Sequence, residues 1–143
     1  MKTKIVYIDG WFLQPPLRGI GYYIKNLLKH FEINSNSLKY ILLVPRNDLD
    51  LSFLPENISI KIIKCKYSWF WYEFFIPRLL NSMRDQYIFF PSGICSLIYN
   101  SSKKNIFSTI HDVSALMSFK YSPINFQLRS ILGRLYRIFS FYK

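Results

Sequence analysis

The sequence contains little cysteine, few acidic residues and no long uninterrupted apolar run. Its two cysteines, Cys65 and Cys95, have no metal-ligand spacing to each other or to the two histidines, so we expect reduced, buried thiols and no metal site. No stretch reaches the roughly 20 apolar residues of a membrane-spanning helix. Asp9 interrupts the first apolar run without a small-residue cleavage site, which argues against a signal peptide. These absences predict a cytoplasmic protein and leave peripheral attachment at the inner face of the membrane open.

The scarcity of acid gives the chain a strongly basic balance. Its 19 lysines and arginines face 8 aspartates and glutamates, for a formal net charge of +11. The segment after Asp112 carries five basic residues and no acid. A basic surface favours phosphate-rich partners such as nucleotide-sugars or anionic lipid, although biased codon composition would give the same excess. Nucleic acid is not an expected partner, because no RNA- or DNA-binding motif is recognisable.

Half of the 143 residues are hydrophobic, and their spacing alternates between strand and helix patterns. We predict a single α/β domain over residues 1–143, Rossmann-like, with a mostly parallel sheet and helices on both faces. Strand 5–8 is expected at the centre, between 40–44 and 86–90, with 106–110 further along and 58–62 as an edge-type strand. Helical stripes are predicted from residue 21 to 31, from 69 onward and from 123 to 139.

Two of the predicted strands end at polar groups. The first runs into Asp9 and then a turn with Gly19 and Gly21, and a later strand runs into His111 and Asp112. Ligands of parallel sheets bind just outside the carboxyl ends of the strands, so we expect these groups at one edge, with Asp9 and Asp112 able to face the crevice. Glycines before a helix let backbone amides approach a phosphate, although a plain structural turn is an alternative. A metal site would need more ligands than this edge supplies.

An aromatic run occupies residues 69–75. Ser68 is expected to cap a helix there, and Pro77 to kink or restart it. The aromatic side chains either form core or make an exposed surface beside Arg78 and Arg84. An exposed surface of this kind would suit a membrane interface or a lipid-linked acceptor.

Four blocks of the sequence, in this order, resemble the amino-terminal domain of glycosyltransferase family 4, the retaining GT-B enzymes. The blocks are the strand 5–9 with the glycine turn 18–23, the segment 71–77, the turn 90–93, and the strand end 109–114. Phe90 departs from the pattern, since the family has a polar residue there. The resemblance spans residues 4 to about 139 and implies one incomplete half of a GT-B fold, without the carboxyl-terminal domain that binds most of the nucleotide-sugar.

The resemblance also implies roles for particular residues. His111 is the candidate catalytic residue, Gly19 and Gly21 would contact the donor phosphate, and Asp9 would be a structural residue at the strand end. Residues implied in acceptor or sugar binding are Arg18, Tyr22, Glu73, Ser92 and Asp112.

The implied reaction is transfer of a sugar from a nucleotide-sugar to a glycan or lipid-linked acceptor, with retention and without a metal or other cofactor. The implied setting is cell-surface polysaccharide or lipopolysaccharide synthesis. The chain alone is expected to be inactive, and a separately encoded carboxyl-terminal domain and an anionic membrane surface are candidate partners. A non-catalytic basic module that binds a membrane or another protein is the alternative function.

Overall fold

The computed structural model describes residues 4–31, 38–82, 86–93, 105–109 and 111, which form a five-stranded, all-parallel sheet. The strands are β1 (Lys4–Asp9), β2 (Leu38–Val44), β3 (Ile58–Ile62), β4 (Tyr87–Phe90) and β5 (Asn105–Ser108). Their order in the sheet is β3-β2-β1-β4-β5. The predicted parallel sheet is therefore confirmed, with β1 central and β3 at an edge.

The helical segments differ from the predictions in detail. Helix α1 spans Gly19–Lys29 and so begins two residues earlier than predicted. A second, continuous helical stretch consists of α2 (Ser68–Phe70), a π-helical segment (Trp71–Phe75) and α3 (Ile76–Asn81), and we call it the aromatic helix (68–81). The predicted helix over 123–139 lies outside the described residues.

Two sequence predictions concern the ends of the aromatic helix segments. The cap predicted at Ser68 is wrong, because this residue is already helical and Tyr67, in an extended conformation, precedes it. Pro77, predicted to kink or restart the helix, lies in the first turn of α3, at the change from the π-helical segment to α-helix, and the backbone stays helical through Phe75 and Ile76. A proline fits there because the first turn of a helix does not need its missing N–H.

The sheet carries a separate hydrophobic core on each face. The core beneath the aromatic helix contains Tyr7, Leu43, Trp71, Tyr72, Ile76, Leu80, Ile88 and Phe90. The core beneath α1 contains Ile8, Leu13, Ile24, Leu28, Leu42, Val44 and Ile58. Neighbouring residues of one strand point to opposite faces, so Tyr7 and Ile8 belong to different cores. The predicted α/β arrangement with helices on both faces is confirmed.

A buried carboxylate lies at the end of β1. Asp9 is fully buried, and its Oδ1 accepts hydrogen bonds from the Trp71 Nε1–H at 2.9 Å and from the Trp11 backbone N–H at 3.1 Å. Its Oδ2 accepts from the Tyr72 hydroxyl at 2.8 Å. The Trp11 and Trp71 rings also pack together, with centroids 5.5 Å apart. One side chain therefore joins the central strand, the short 3₁₀ turn Trp11–Leu13 and the aromatic helix.

Burial has an electrostatic cost at this position. It raises the pKa of Asp9 from 3.8 to about 6, and the hydrogen bonds from Tyr72, Trp11 and Trp71 oppose part of that rise. A shift of this size corresponds to about 3 kcal/mol between the two protonation states. The three donors are therefore needed to hold a group that the surrounding core would otherwise exclude.

The raised pKa of Asp9 predicts how stability depends on pH. Between the ordinary value of 3.8 and the folded value of about 6, the folded chain keeps a proton that the unfolded chain has lost. The contribution of Asp9 is therefore greatest below about pH 4 and is lost as pH rises through about 6. In Asp9→Asn, the amide oxygen still accepts from Trp11 and Trp71, and the amide nitrogen donates to the Tyr72 hydroxyl.

We expect the free energy of unfolding of the wild type to fall by about 2 kcal/mol relative to Asp9→Asn as pH rises from 4 to 7, because part of the full effect of about 3 kcal/mol lies below pH 4. Denaturant unfolding at several pH values measures this difference. Asp9→Ala is the control: it removes the acceptor for the donors of Trp11, Trp71 and Tyr72, and it should be less stable than Asp9→Asn by about 2–4 kcal/mol at every pH, because neither variant titrates at position 9. A constant difference between the wild type and Asp9→Asn across this range would contradict the prediction.

Candidate functional site at the carboxyl edge of the sheet

Helix α1 begins at the carboxyl edge, after the loop that follows β1. Arg18 is exposed at the N-cap position, with extended backbone, and its carbonyl accepts the Tyr22 N–H at 2.9 Å. No side chain caps this end, and no acidic residue lies in the first turn. The first amides of a helix have no partner within the helix, so this end attracts negative charge. Tyr22, also predicted to bind sugar, is 57% exposed on the same helix.

The two glycines of this helix have different environments. A Cβ on Gly19 would meet nothing within 4 Å, so the backbone there is open to approach. A Cβ on Gly21 would lie 2.5 Å from the Phe12 carbonyl oxygen and 3.0 Å from Leu17 Cδ2. Gly21 therefore lets α1 pack against the 3₁₀ turn. Gly19 is the glycine whose backbone is accessible to a ligand at this end of the helix.

A tight turn follows β4. The Gly93 N–H donates to the Phe90 carbonyl at 3.2 Å, and Gly93 has a φ of 75°, which favours glycine. The same carbonyl accepts the Thr109 N–H at 3.1 Å, which ties the turn to the end of β5. Ser92, predicted to bind sugar, is buried in this turn. The turn therefore serves first to hold β4 and β5 at a fixed spacing.

His111 lies exposed beside this turn and contacts α1. Its Nε2 is hydrogen-bonded to the Pro91 carbonyl oxygen. Its ring meets the Tyr23 ring edge to face, with centroids 4.6 Å apart, and the Tyr23 hydroxyl lies 3.4 Å from Thr109 Oγ1. The ends of β4 and β5 and the first turns of α1 thus converge on one imidazole.

The hydrogen bond to Pro91 fixes the chemistry that His111 offers. A carbonyl oxygen only accepts, so Nε2 carries the proton. In the neutral ring, Nδ1 is then the nitrogen that can accept a proton from a hydroxyl group. The site therefore combines a nitrogen that accepts a hydrogen bond from a hydroxyl group (Nδ1 of His111) and the aromatic ring of Tyr23. The uncapped start of α1 lies along the same edge.

The remaining predicted site residues take other positions. The expectation that Asp9 could face the crevice is wrong, because its carboxylate is fully buried and hydrogen-bonded to Trp71 and Tyr72. Its predicted structural role at the strand end agrees with this burial. Glu73 is half-buried in the π-helical segment, on a helix that packs against the opposite face of the sheet from α1. Asp112 lies outside the described residues.

Sequence reasoning did not single out Tyr23 or Thr109, although both lie within the blocks that carry the family resemblance. Tyr23 follows Gly19 by four residues, so both lie on one side of the helix, and this spacing was the available signal. Nothing in the spacing of Thr109 distinguishes it from the other strand-end residues.

The described part of the chain contains neither a metal-binding cluster nor a membrane-spanning helix. In that part, no three histidine, cysteine or acidic side chains cluster as a metal site would require. Over the same residues, no helix has the length and apolar content to cross a membrane. Comparison with protein-family models, curated proteins and solved structures gave no match to this chain.

The two glycines of α1 supply a matched test of this geometry. Gly21→Ala should lower the free energy of unfolding by about 2 kcal/mol or more, because its Cβ meets a backbone oxygen that cannot move alone. Gly19→Ala should leave stability unchanged or raise it by up to about 1 kcal/mol, since alanine favours helix and the position is open. Thermal and denaturant unfolding measure both variants. Equal effects of the two substitutions would contradict the assigned packing.

Proposed function

We propose that this chain is the acceptor-side domain of a retaining glycosyltransferase and contacts its substrates along the carboxyl edge between α1 and His111. One observation carries the proposal. Tyr23, from the glycine-turn block, is in ring contact with His111 from the last block, and His111 is hydrogen-bonded to Pro91 of a third block. Three of the four blocks that resemble glycosyltransferase family 4 therefore meet at one place.

The start of α1 supports a role in binding the diphosphate of a nucleotide-sugar. Its first turn has no side-chain cap, and a ligand can approach the backbone at Gly19 closely. Arg18 adds an exposed positive charge at the same end. Backbone amides and an arginine together form the kind of site that binds phosphate oxygens.

His111 and Tyr23 suit the sugar part of a substrate. Nδ1 of the imidazole can accept a hydrogen bond from a sugar hydroxyl, and the aromatic ring gives the apolar face of a sugar a surface to pack on. In a transfer reaction these groups would orient the hydroxyls, and the start of α1 would stabilise charge on the departing diphosphate. The proposed setting is synthesis of a cell-surface polysaccharide or lipopolysaccharide.

Binding can be tested by NMR, because the chain has only two histidines. Titration with UDP- and GDP-linked sugars should shift the imidazole signals of His111 and leave those of His30 in place. His30 is a matched control, since its Nδ1 is bonded to the Asn26 carbonyl at 2.9 Å at the far end of α1. His111→Ala should weaken binding about tenfold, the effect of losing one good hydrogen bond.

Two outcomes would contradict this proposal. One is equal shifts of both histidines, which would indicate binding by general charge. The other is unchanged affinity in His111→Ala. His30→Ala assigns the signals and should bind with wild-type affinity.

A second candidate function rests on a different surface. The aromatic helix buries Trp71 and Tyr72, whereas Trp69 is 62% exposed and Phe74 is 49% exposed. Tyr67, just before the helix, is 55% exposed. We call Tyr67, Trp69 and Phe74 the aromatic patch. Exposed Lys64, Lys66 and Arg78 lie close to it in sequence.

Aromatic rings flanked by lysine and arginine are typical of surfaces that lie at a membrane interface. The aromatic patch therefore favours peripheral binding to anionic lipid as the alternative to sugar transfer. The two functions are compatible, because a lipid-linked acceptor is itself found at a membrane.

Tryptophan fluorescence can test membrane binding at the aromatic patch. Of the three tryptophans, Trp71 is buried and Trp11 partly buried, so vesicles should act mainly on Trp69. Vesicles that contain phosphatidylglycerol should shift the emission to shorter wavelength, and Trp69→Phe should abolish the shift. Phe107→Ser is the control, because Phe107 is 54% exposed but lies on β5. Persistence of the shift in Trp69→Phe would exclude the patch as the contact.

A further inference from the structure

A basic cleft opens at the carboxyl ends of β2 and β3, away from the site around His111. Its volume is about 720 Å³, and we define it by the lining residues Gln14, Arg46, Asp48, Lys64, Cys65 and Lys66. In the sheet, β1 and β4 separate β2 from β5, so neither Tyr23 nor His111 contributes to it. The size is that of a pocket for a small molecule.

The backbone brings three basic side chains to the wall of this cleft. Beyond the strands, the Ile63 N–H donates to the Val44 carbonyl and the Cys65 N–H to the Pro45 carbonyl, each at 2.9 Å. Arg46 follows Pro45, and the two lysines flank Cys65. The pairing of the two segments therefore holds Arg46, Lys64 and Lys66 around one opening.

The negative charge on the walls of the cleft is smaller than the positive charge. Asp48 is the sole acidic residue among the lining side chains, and its carboxylate makes a two-bond ion pair with the Arg46 guanidinium. The two lysines keep a net positive charge on the opening. Like charges gathered at one place repel each other, and an anion with several oxygens relieves that repulsion.

We propose that the basic cleft binds a phosphate-bearing ligand. Its position outside the carboxyl ends of parallel strands is where α/β sheets bind ligands, and its charged groups are donors that suit phosphate oxygens. The phosphate belongs either to a soluble ester or to a lipid headgroup. The proposal is independent of sugar transfer, because no residue of the cleft belongs to the site around His111.

Titration calorimetry with pyrophosphate tests the cleft directly. The double variant Lys64→Ala with Lys66→Ala should weaken binding about tenfold or more, because each lysine supplies a charge-assisted bond. Asp48→Asn should strengthen binding several-fold, because it releases Arg46 from its ion pair. Lys61→Ala is the matched control: Lys61 is an exposed lysine on β3 outside the cleft, and its loss should change affinity by less than about twofold.

Chemical labelling locates the bound ligand. Cys65 lines the cleft, so bound pyrophosphate should slow its reaction with N-ethylmaleimide. Peptide mass spectrometry measures this reaction separately for Cys65 and Cys95. His111→Ala should leave both this protection and the lysine dependence unchanged. Binding that depends on His111 but not on the lysines would belong to the other site and would overturn the cleft proposal.

A vesicle experiment distinguishes the two sources of phosphate. If phosphatidylglycerol vesicles bind and both the lysine double variant and added pyrophosphate weaken that binding, the ligand is a lipid headgroup. If pyrophosphate binds while vesicles do not, the ligand is a soluble phosphate compound. Either result supports the proposal. Lack of pyrophosphate binding, or an equal loss in Lys61→Ala and the double variant, would overturn it.

Discussion

The structure depends on a carboxylate that water cannot reach. Asp9 ends the central strand inside the core, where its charge is costly, and three donors from two other segments satisfy it. A hydrophobic contact in this place would tolerate small displacements, but hydrogen bonds from an indole, a phenol and a backbone amide do not. The aromatic helix is therefore fixed against β1 in position and in rotation.

The effect of this contact extends to the candidate site through the backbone. Beside Asp9, the Gly10 N–H donates to the Leu43 carbonyl at 2.8 Å, and a Cβ on Gly10 would come within 2.6 Å of that oxygen. The 3₁₀ turn that follows presents the Phe12 carbonyl against Gly21 of α1. Each step is a close backbone approach, so the position of α1, and of Tyr23 on it, follows from how the chain leaves β1.

The sheet was predictable because four of its strands are short apolar runs that end at a polar group or a turn, and because the alternating residues 58–62 are typical of an edge strand. The order of the strands followed from the rule that crossover connections are right-handed. The rotation of the aromatic helix was not predictable in the same way. A π-helical segment departs from the 3.6-residue repeat, so Trp71 and Tyr72 turn inward together while Trp69 and Phe74 remain exposed. The spacing of apolar residues at 3.6 per turn does not encode that shift.

The candidate site was predictable at the level of strand ends and not at the level of side chains. The sequence predicted Gly19, Gly21 and His111 near one edge of the sheet. It did not show that Gly21 packs against the 3₁₀ turn while the backbone at Gly19 is accessible. That distinction depends on the Phe12 carbonyl, a backbone atom with no signature in the sequence. The partner of His111 is likewise the Pro91 carbonyl, so the residue type at position 91 carries no information about the contact.

The positive charge of the carboxyl edge follows from where the few acids lie. Asp9 is the last residue of β1 but is buried in the core, and Asp48 forms an ion pair with Arg46. Neither carboxylate is available to neutralise Arg18 at the start of α1 or the two lysines of the basic cleft. Of the described acids, Asp9 is committed to the core and Asp48 to a local ion pair, so neither offsets the basic side chains at the start of α1 and in the basic cleft. Anionic groups are therefore the ligands for which this edge is electrostatically suited, both at α1 and at the cleft.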